Sequence, residues 1–388
     1  MLKMEAEEEE EEEESPIYRL PQETLHQIFA SLPLKQITIF KTLSKFFHRT
    51  LTCPSFIHLI NTTTTSSRPP LNLIALRQPN HHSNHHFHAF DPDSDRWFNF
   101  DLAFLPFRSP SPVASSSGLV YLWADSAALV QFAPAKSLVV CNPITRRYRV
   151  LPQLGSAWSR HGSVLVSPPD RVLVLTELAT LYLSSTLDHW INFSSNLPSK
   201  PRSPIFVGDS IYALCDVGSP WRSQWKLYFC SLTTKQSRLS SQSWCRLEMH
   251  KWGDVFDVLK RPRLVPGTGN NLLMVGGLKA SFALHAPCSA IVIFRLDLES
   301  LEWNEAARMP AEMFTCFQES SKFKVFGGGN RVCFSGKRVG KLALWQAGEE
   351  DEEEGNKDDQ WKWIDGLPGN REGTCRGFIY EASLYDLP

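Results

Sequence analysis

The sequence of 388 residues predicts a small all-α module followed by an all-β propeller of six blades. Three observations carry this reading. Apolar residues recur at helical spacing between Leu20 and Ile60, and residues 61 to 70 carry almost no apolar side chain. Beyond them come short β-branched or aromatic runs in which an aromatic residue returns with a period near fifty.

An apolar fraction of 42% suffices for a proper core, so the chain is globular rather than disordered. No basic and apolar leader opens it, and no run of about 18 apolar residues is long enough to span a bilayer, which predicts a soluble intracellular protein of the nucleus, the cytoplasm or both. Nine cysteines, an odd number without a CxxC pair, read as reduced and mostly buried small hydrophobes. The formal net charge of −1 conceals an uneven distribution. Of 41 Asp and Glu, nine lie between Glu5 and Glu14 and eight between Glu349 and Asp359. Setting both tracts aside, with Lys357, leaves 24 acids against 39 of the 40 Lys and Arg, so the remainder is strongly basic. That favours acidic partners or a self-contact with the acidic tracts, while the plainer reading makes the tracts solvating segments.

Residues 1 to 15 form the acidic tail, and the helical module spans 16 to 60. Leu25, Ile28, Phe29 and Leu32 fall at i, i+3, i+4 and i+7, one stripe of an amphipathic helix that Pro21 starts and Pro33 stops. A second periodic stretch carries Ile37, Phe40, Leu43 and Phe47 and ends at Cys53-Pro54. Phe56, Ile57, Leu59 and Ile60 supply a short third piece. Some forty residues are too few for a confident independent core, so part of these faces needs a partner.

Leu20-Pro21, Leu25, Ile28-Phe29, Leu32-Pro33, Ile37, the stretch Leu43-Ser44-Lys45-Phe46-Phe47 and Phe56 resemble the F-box pattern in residue type and spacing. The chain departs from the usual form at Ser44 and Phe47, where the family has Cys and Trp. The resemblance implies docking onto a small Skp-type adaptor that in turn holds the cullin scaffold and its RING subunit. Leu20, Pro21, Leu25, Ile28, Phe29, Leu32, Pro33, Ile37, Phe40, Leu43, Lys45 and Phe47 are the residues that would carry that contact. The plainer alternative is a helical hairpin packed on the rest of the chain.

Residues 61 to 70 form the linker, ending in a stiff Pro pair and reaching at most about 35 Å when extended. From Leu71 to Pro388 the pattern is β. Runs such as Leu119 to Trp123, Val172 to Thr176, Ile211 to Leu214, Leu272 to Val275 and Ile291 to Phe294 alternate with turn residues, and no long helix interrupts them. Trp97, Tyr148, Trp190, Trp303 and Trp363 are each followed by an apolar-Pro pair. Trp244 has Leu247 but no proline, and the six aromatics are spaced by 51, 42, 54, 59 and 60 residues. Asp91-Pro92-Asp93-Ser94 and Asn142-Pro143-Ile144-Thr145 place turns six residues before two of them. This resembles a six-bladed kelch propeller of the divergent sort found in plant F-box proteins. Only Gly276-Gly277 sits where a kelch blade has its double glycine, and Gly327 to Gly329 read as an earlier turn. The first blade begins at Leu71 with too few strands, so Arg376 to Leu384 is expected to close the ring.

No GxSxG, HExxH, phosphate-loop or dinucleotide glycine pattern occurs in a fitting context, and the sequence predicts neither cofactor nor catalytic residue. Kelch propellers include copper-dependent sugar oxidases, whose site needs His and Tyr from several blades. Here His81, His82, His85, His86 and His88 crowd one stretch and read as a polar tract. The F-box and kelch resemblance together imply the target-recognition subunit of an SCF-type ubiquitin ligase. A non-proteolytic adaptor or transcription cofactor is the alternative. With four antiparallel strands a to d per blade, b-to-c and d-to-a loops open on one face. That rule gathers Trp158, Arg160, Trp221, Arg222 and Trp252 as a target-binding set, suited to an acidic or phosphorylated protein segment. The Glu349 to Asp359 tract falls in a c-to-d loop on the opposite face. A nucleic-acid role lacks any reading helix or stacking motif, and nothing points to a membrane.

Overall fold

The computed structural model describes residues 16–63, 71–77, 85–107, 109–125, 136–155, 158, 161–168, 171–184, 188–219, 221–232, 243–253, 255–281, 288–318, 323–348, 360–369, 373–383 and 387–388. The chain divides into two compact units, Met1–Leu71 with Ser383–Tyr385 and Asn72–Ala382 with Asp386–Pro388.

The first unit is helical. A 3-10 turn (Pro16–Arg19) precedes α1 (Gln22–Ser31), α2 (Leu34–Leu43), α3 (Lys45–Thr52) and α4 (Pro54–Thr63). Each Leu-Pro pair starts a helix rather than merely ending one. Pro21 and Pro33 occupy the N-cap positions of α1 and α2, and their carbonyls accept from Leu25 N at 3.0 Å and Ile37 N at 3.1 Å. The second periodic stretch is two helices, not one. Ser44 is extended (φ −154°, ψ 159°) and its hydroxyl accepts from Phe47 N at 3.2 Å, which breaks α2 from α3 and caps the latter. Leu25, Phe29, Ile37, Phe47, Leu51, Phe56, Ile57 and Ile60 are buried together, and the rings of Phe29, Phe40 and Phe47 meet at 5.6 to 5.7 Å.

The second unit is a propeller of six four-stranded antiparallel sheets. Blade 1 joins β24 (Arg376–Ala382) to β1 (Leu71–Arg77), β2 (His86–Asp91) and β3 (Arg96–Asp101). Blade 2 holds β4 (Ser111–Ser116), β5 (Leu119–Asp125), β6 (Lys136–Asn142) and β7 (Arg147–Val150). Blade 3 has β8 (Ser163–Ser167), β9 (Arg171–Leu175), β10 (Ala179–Leu183) and β11 (Ile191–Ser194), and blade 4 has β12 (Arg202–Val207), β13 (Ser210–Asp216), β14 (Trp225–Ser231) and β15 (Cys245–Leu247). Blade 5 contains β16 (Leu259–Pro266), β17 (Asn271–Lys279), β18 (Cys288–Asp297) and β19 (Glu302–Arg308). Blade 6 contains β20 (Phe323–Gly328), β21 (Arg331–Gly336), β22 (Leu342–Gln346) and β23 (Gln360–Ile364). The inner strands β24, β4, β8, β12, β16 and β20 adjoin one another in a closed circle.

The core lies between blades. One cluster packs Leu214 and Leu227 of blade 4 on Leu272 and Val292 of blade 5, and another packs Ile74 and Phe90 of blade 1 on Phe326 and Leu344 of blade 6. The repeating aromatics all fall on the outer strand of a blade or just before it. Two of them bolt neighbouring blades together, Trp97 Nε1 donating to Asp365 O at 3.0 Å and Trp190 Nε1 to Pro152 O at 2.8 Å. The apolar residues of the apolar-Pro pairs, Leu105, Leu151, Leu197, Met309 and Leu367, are buried beneath them. Asp91 and Asn142 cap the turns before β3 and β7, Asn142 Oδ1 accepting from Ile144 N at 2.9 Å and Thr145 N at 3.2 Å. Asp297 does the same before β19, a third copy that the sequence pattern hides because no proline follows. A short helix, α5 (Ala311–Gln318), fills the connection between blades 5 and 6, with Met313 and Phe317 buried.

Candidate binding face

In each blade the loop between the second and third strands opens on the same side as the connection to the next blade, because adjacent strands are antiparallel. The loop between β13 and β14 is the most sharply built feature of that side. Asp216 Oδ1 accepts from Gly218 N at 3.1 Å and Gln224 N at 2.8 Å, and Val217 N donates to Gln224 O at 2.8 Å. Arg222 N then donates to Ser219 O and to the Ser219 hydroxyl, closing a turn at its tip. Gly218 is required there, since a Cβ would lie 2.1 Å from Arg222 O and 2.5 Å from Gln224 N. This clamp holds Trp221 82% exposed, with Arg222 exposed beside it. A large indole is thus kept in water on a braced turn.

The other expected members of the target set fare differently. Trp158 is half-buried among the blade 2 and blade 3 side chains, and Arg160 lies outside the described residues. Trp252 is 7% exposed, so its expected place in the exposed set is corrected. Its Nε1 donates to Leu301 O at 2.8 Å and its ring packs edge-on against Phe256 and Trp303, which makes it a wedge between blades 4 and 5. Two residues on the same side were missed. Arg202, which begins β12, stacks 4.7 Å over the ring of Trp225, which begins β14 directly after the clamped loop. Their position at strand starts, read with the antiparallel rule, is the signal that would have found them. Nearby, Lys226 and Arg246 both bond to Glu248 and hold its carboxyl below the usual range.

On the opposite face of the ring, a cavity of about 510 Å³ is lined by Ser115, Ser117, Pro266, Gly328 and Arg331, the last paired with Asp93 at 2.9 Å. Among the described residues no three His, Cys, Asp or Glu side chains converge to hold a metal ion. Of the nine free cysteines, Cys141, Cys215, Cys230 and Cys333 are buried, and burial pushes the Cys141 thiol up to about 12. No helix among the described residues is long and apolar enough to cross a membrane.

On the helical unit the twelve expected adaptor-contact residues separate into two sets. Leu25, Phe29, Ile37 and Phe47 are buried within the unit and Leu32 and Phe40 are partly so, while Leu20, Pro21, Ile28, Pro33, Leu43 and Lys45 are exposed. Ile28 is 42% and Leu43 61% exposed, and Ile39, which the sequence reading passed over, joins them. Its apolar character at a position off the main stripe was the available signal.

Residues 89–335 match the family model described as KIB1-4 beta-propeller. The chain belongs to the KIB1-4 β-propeller family. A relative from Arabidopsis thaliana named SKP1-interacting partner 15 is 55% identical over 390 residues, covering 96% of this chain and 99% of the relative. Among solved structures, YjhT aligns with 76% of this chain and 99% of its own at 9% identity and a TM-score of 0.42. The propeller domain of the Trilobed protease from Pyrococcus furiosus aligns with 75% and 81% at 11% identity and a TM-score of 0.39. The Arabidopsis relative and this member of the KIB1-4 family are thus of near-equal length.

Proposed function

We propose that this chain is the target-recognition subunit of an SCF-type ubiquitin ligase. Its helical unit acts as an F-box that docks on a Skp-type adaptor, through which cullin and RING subunits are reached. Its propeller, kelch-like in blade plan, offers a protein target to the transfer machinery. The observation that carries this reading is the near full-length identity to a relative named for its interaction with SKP1. The exposed Leu20, Ile28 and Leu43 support it, being large apolar side chains left in water. Exposed apolar side chains of this kind suit a lasting protein interface. Ubiquitin transfer is assigned to the other subunits, and this chain contributes proximity by raising the effective concentration of target lysines. Trp221 and Arg222 are the proposed target contacts, the arginine fork pairing with a carboxylate or phosphate and the indole supplying desolvated area.

The test uses exposed positions so that folding and docking separate. Ile28→Asp with Leu43→Asp, and in parallel Leu20→Ala with Pro21→Ala, should abolish co-purification of a Skp-type adaptor while circular dichroism stays that of the wild type. Adaptor recovery at the wild-type level by both variants would show the reading to be wrong. Adaptor capture without any target turnover would assign a non-proteolytic role instead.

A further inference from the structure

Among the described residues Arg331 meets Asp93, Arg171 meets Asp209, Arg246 meets Glu248 and Arg308 meets Glu305. Among the same residues Arg77, Arg263 and Arg376 have no such partner. Arg376 is the first residue of β24 and Arg77 the last of β1, and since these strands are antiparallel neighbours both side chains start at the same mouth of the channel, the side on which Trp221 stands. Gly377 seats this end tightly, as a Cβ there would lie 2.2 Å from Ala75 O. Arg263 belongs to β16, the inner strand of blade 5, with only β20 between it and β24 around the channel. Arg77 and Arg263 are half-buried and Arg376 is exposed. Among the described residues none of the three has a carboxylate partner or a hydrogen-bond acceptor.

Their proximity shows electrostatically. Burial first, and then the charge of Arg376, lowers the Arg77 guanidinium to about 10 and shifts Arg263 in the same direction. Arg77 nonetheless stays protonated at neutral pH, so among the described residues the exposed Arg376 repels two half-buried cations, a cost that a bound anion would offset.

We propose that Arg77, Arg263 and Arg376 form a binding site for an oxyanion of the phosphate class at the channel mouth. A tetrahedral oxyanion has enough acceptors to take a fork from each of three arginines, whereas a single carboxylate has room for one or two. The site stands independently of the ligase reading. Within that reading it supplies the place where a phosphorylated side chain of the target, anchored beside Trp221, is received.

Inorganic phosphate is the first probe, titrated into the full-length chain by calorimetry at ionic strength held constant with chloride. Saturable binding is expected, with a rise in melting temperature that follows occupancy. Arg376→Gln and Arg263→Gln should each weaken it about tenfold or more. Their phosphate-free melting should stay level or rise, because a repulsion has been relieved. Arg376 is exposed, so its variant reports even where an Arg77 variant does not fold. A phosphoserine peptide that displaces phosphate, when its unphosphorylated twin does not, assigns the site to a protein-borne group. Displacement by neither peptide assigns it to a free ion. A phosphate response that is absent, or that both variants retain in full, overturns the proposal. Adaptor capture measured on the same variants should match the wild type, which keeps this result separate from the test of the ligase reading.

Discussion

Trp221 and Trp252 carry the same side chain, stand beside basic residues and belong to loops on the same side of the ring, yet one is 82% exposed and the other 7%. What separates them is the carbonyl of Leu301, forty-nine residues along, and the rings of Phe256 and Trp303, none of which a local window of sequence brings near Trp252. The braced turn under Trp221 was more nearly legible, since Asp216, Gly218 and Ser219 are turn formers at close spacing. The two tryptophans should therefore respond oppositely to alanine. Trp252→Ala removes a buried wedge and should destabilise the propeller by about 3 to 5 kcal/mol. Trp221→Ala should leave the melting temperature unchanged and weaken target capture by about thirtyfold, the usual effect of trimming a contact anchor worth roughly 2 kcal/mol. Gly218→Ala should do some of both, because the added Cβ forces the clamp open. Thermal melts beside target recovery by proximity labelling would check all three, and equal target recovery by Trp221→Ala and wild type would move the contact elsewhere.

At the scale of elements, periodicity was a sound guide to kind and a poor one to boundaries. The aromatic period marked the outer strand of each blade, and the buried apolar residue of each apolar-Pro pair marked the connections inward. The helical stripe was read as a single face, but Ile28 points out while Leu25 and Phe29 point in, since the unit is small enough that two apolar faces of α1 cannot both be covered from within. Ser44 escaped notice as a boundary because a lone serine between apolar residues carries no weight in a periodicity count. Its cap predicts that Ser44→Ala costs the helical unit about 1 kcal/mol, read as an earlier loss of helical far-UV signal. His26 gives this unit a pH dependence as well. Burial lowers its imidazole below the ordinary 6.5, with Glu23 opposing. The folded state thus binds the proton less readily than the unfolded one, so stability is complete above about 6.5 and falls as pH drops from there through the lower folded value. His88 in the propeller is lowered too, by burial and by His86, so the informative measurement is the difference between wild type and His26→Gln. That variant should lose part of the acid sensitivity of the helical signal, and identical pH profiles would remove His26 from the account.

For the whole molecule, the decisive feature is that the chain's last strand completes its first blade, which the sequence announced by starting the β pattern at Leu71 one strand short. Closure is made of particular contacts. The Ser115 hydroxyl donates to Ile379 O, Cys375 N donates to the Ser335 hydroxyl at 2.7 Å, and Tyr380, fully buried, packs its ring on Phe87 and Phe100. On the other flank of blade 1, Arg331 donates to Asn72 O at 3.2 Å and Lys362 to Pro92 O at 2.7 Å, tying it to blade 6. A ring in which every blade's core is shared with its neighbours has no part that is stable alone, and opening it would expose two strand edges and one face of the Ile74 and Phe90 cluster. Deleting Arg376 to Pro388 should accordingly abolish the propeller's folding transition altogether rather than trim one blade from it. Tyr380→Ala should lower the same single transition by about 3 to 5 kcal/mol through the cavity it leaves. Calorimetry on the full-length, truncated and Tyr380→Ala proteins checks both, with urea melts as the second measure. A truncated chain that still melts cooperatively near the full-length temperature would show that β24 decorates the ring without closing it.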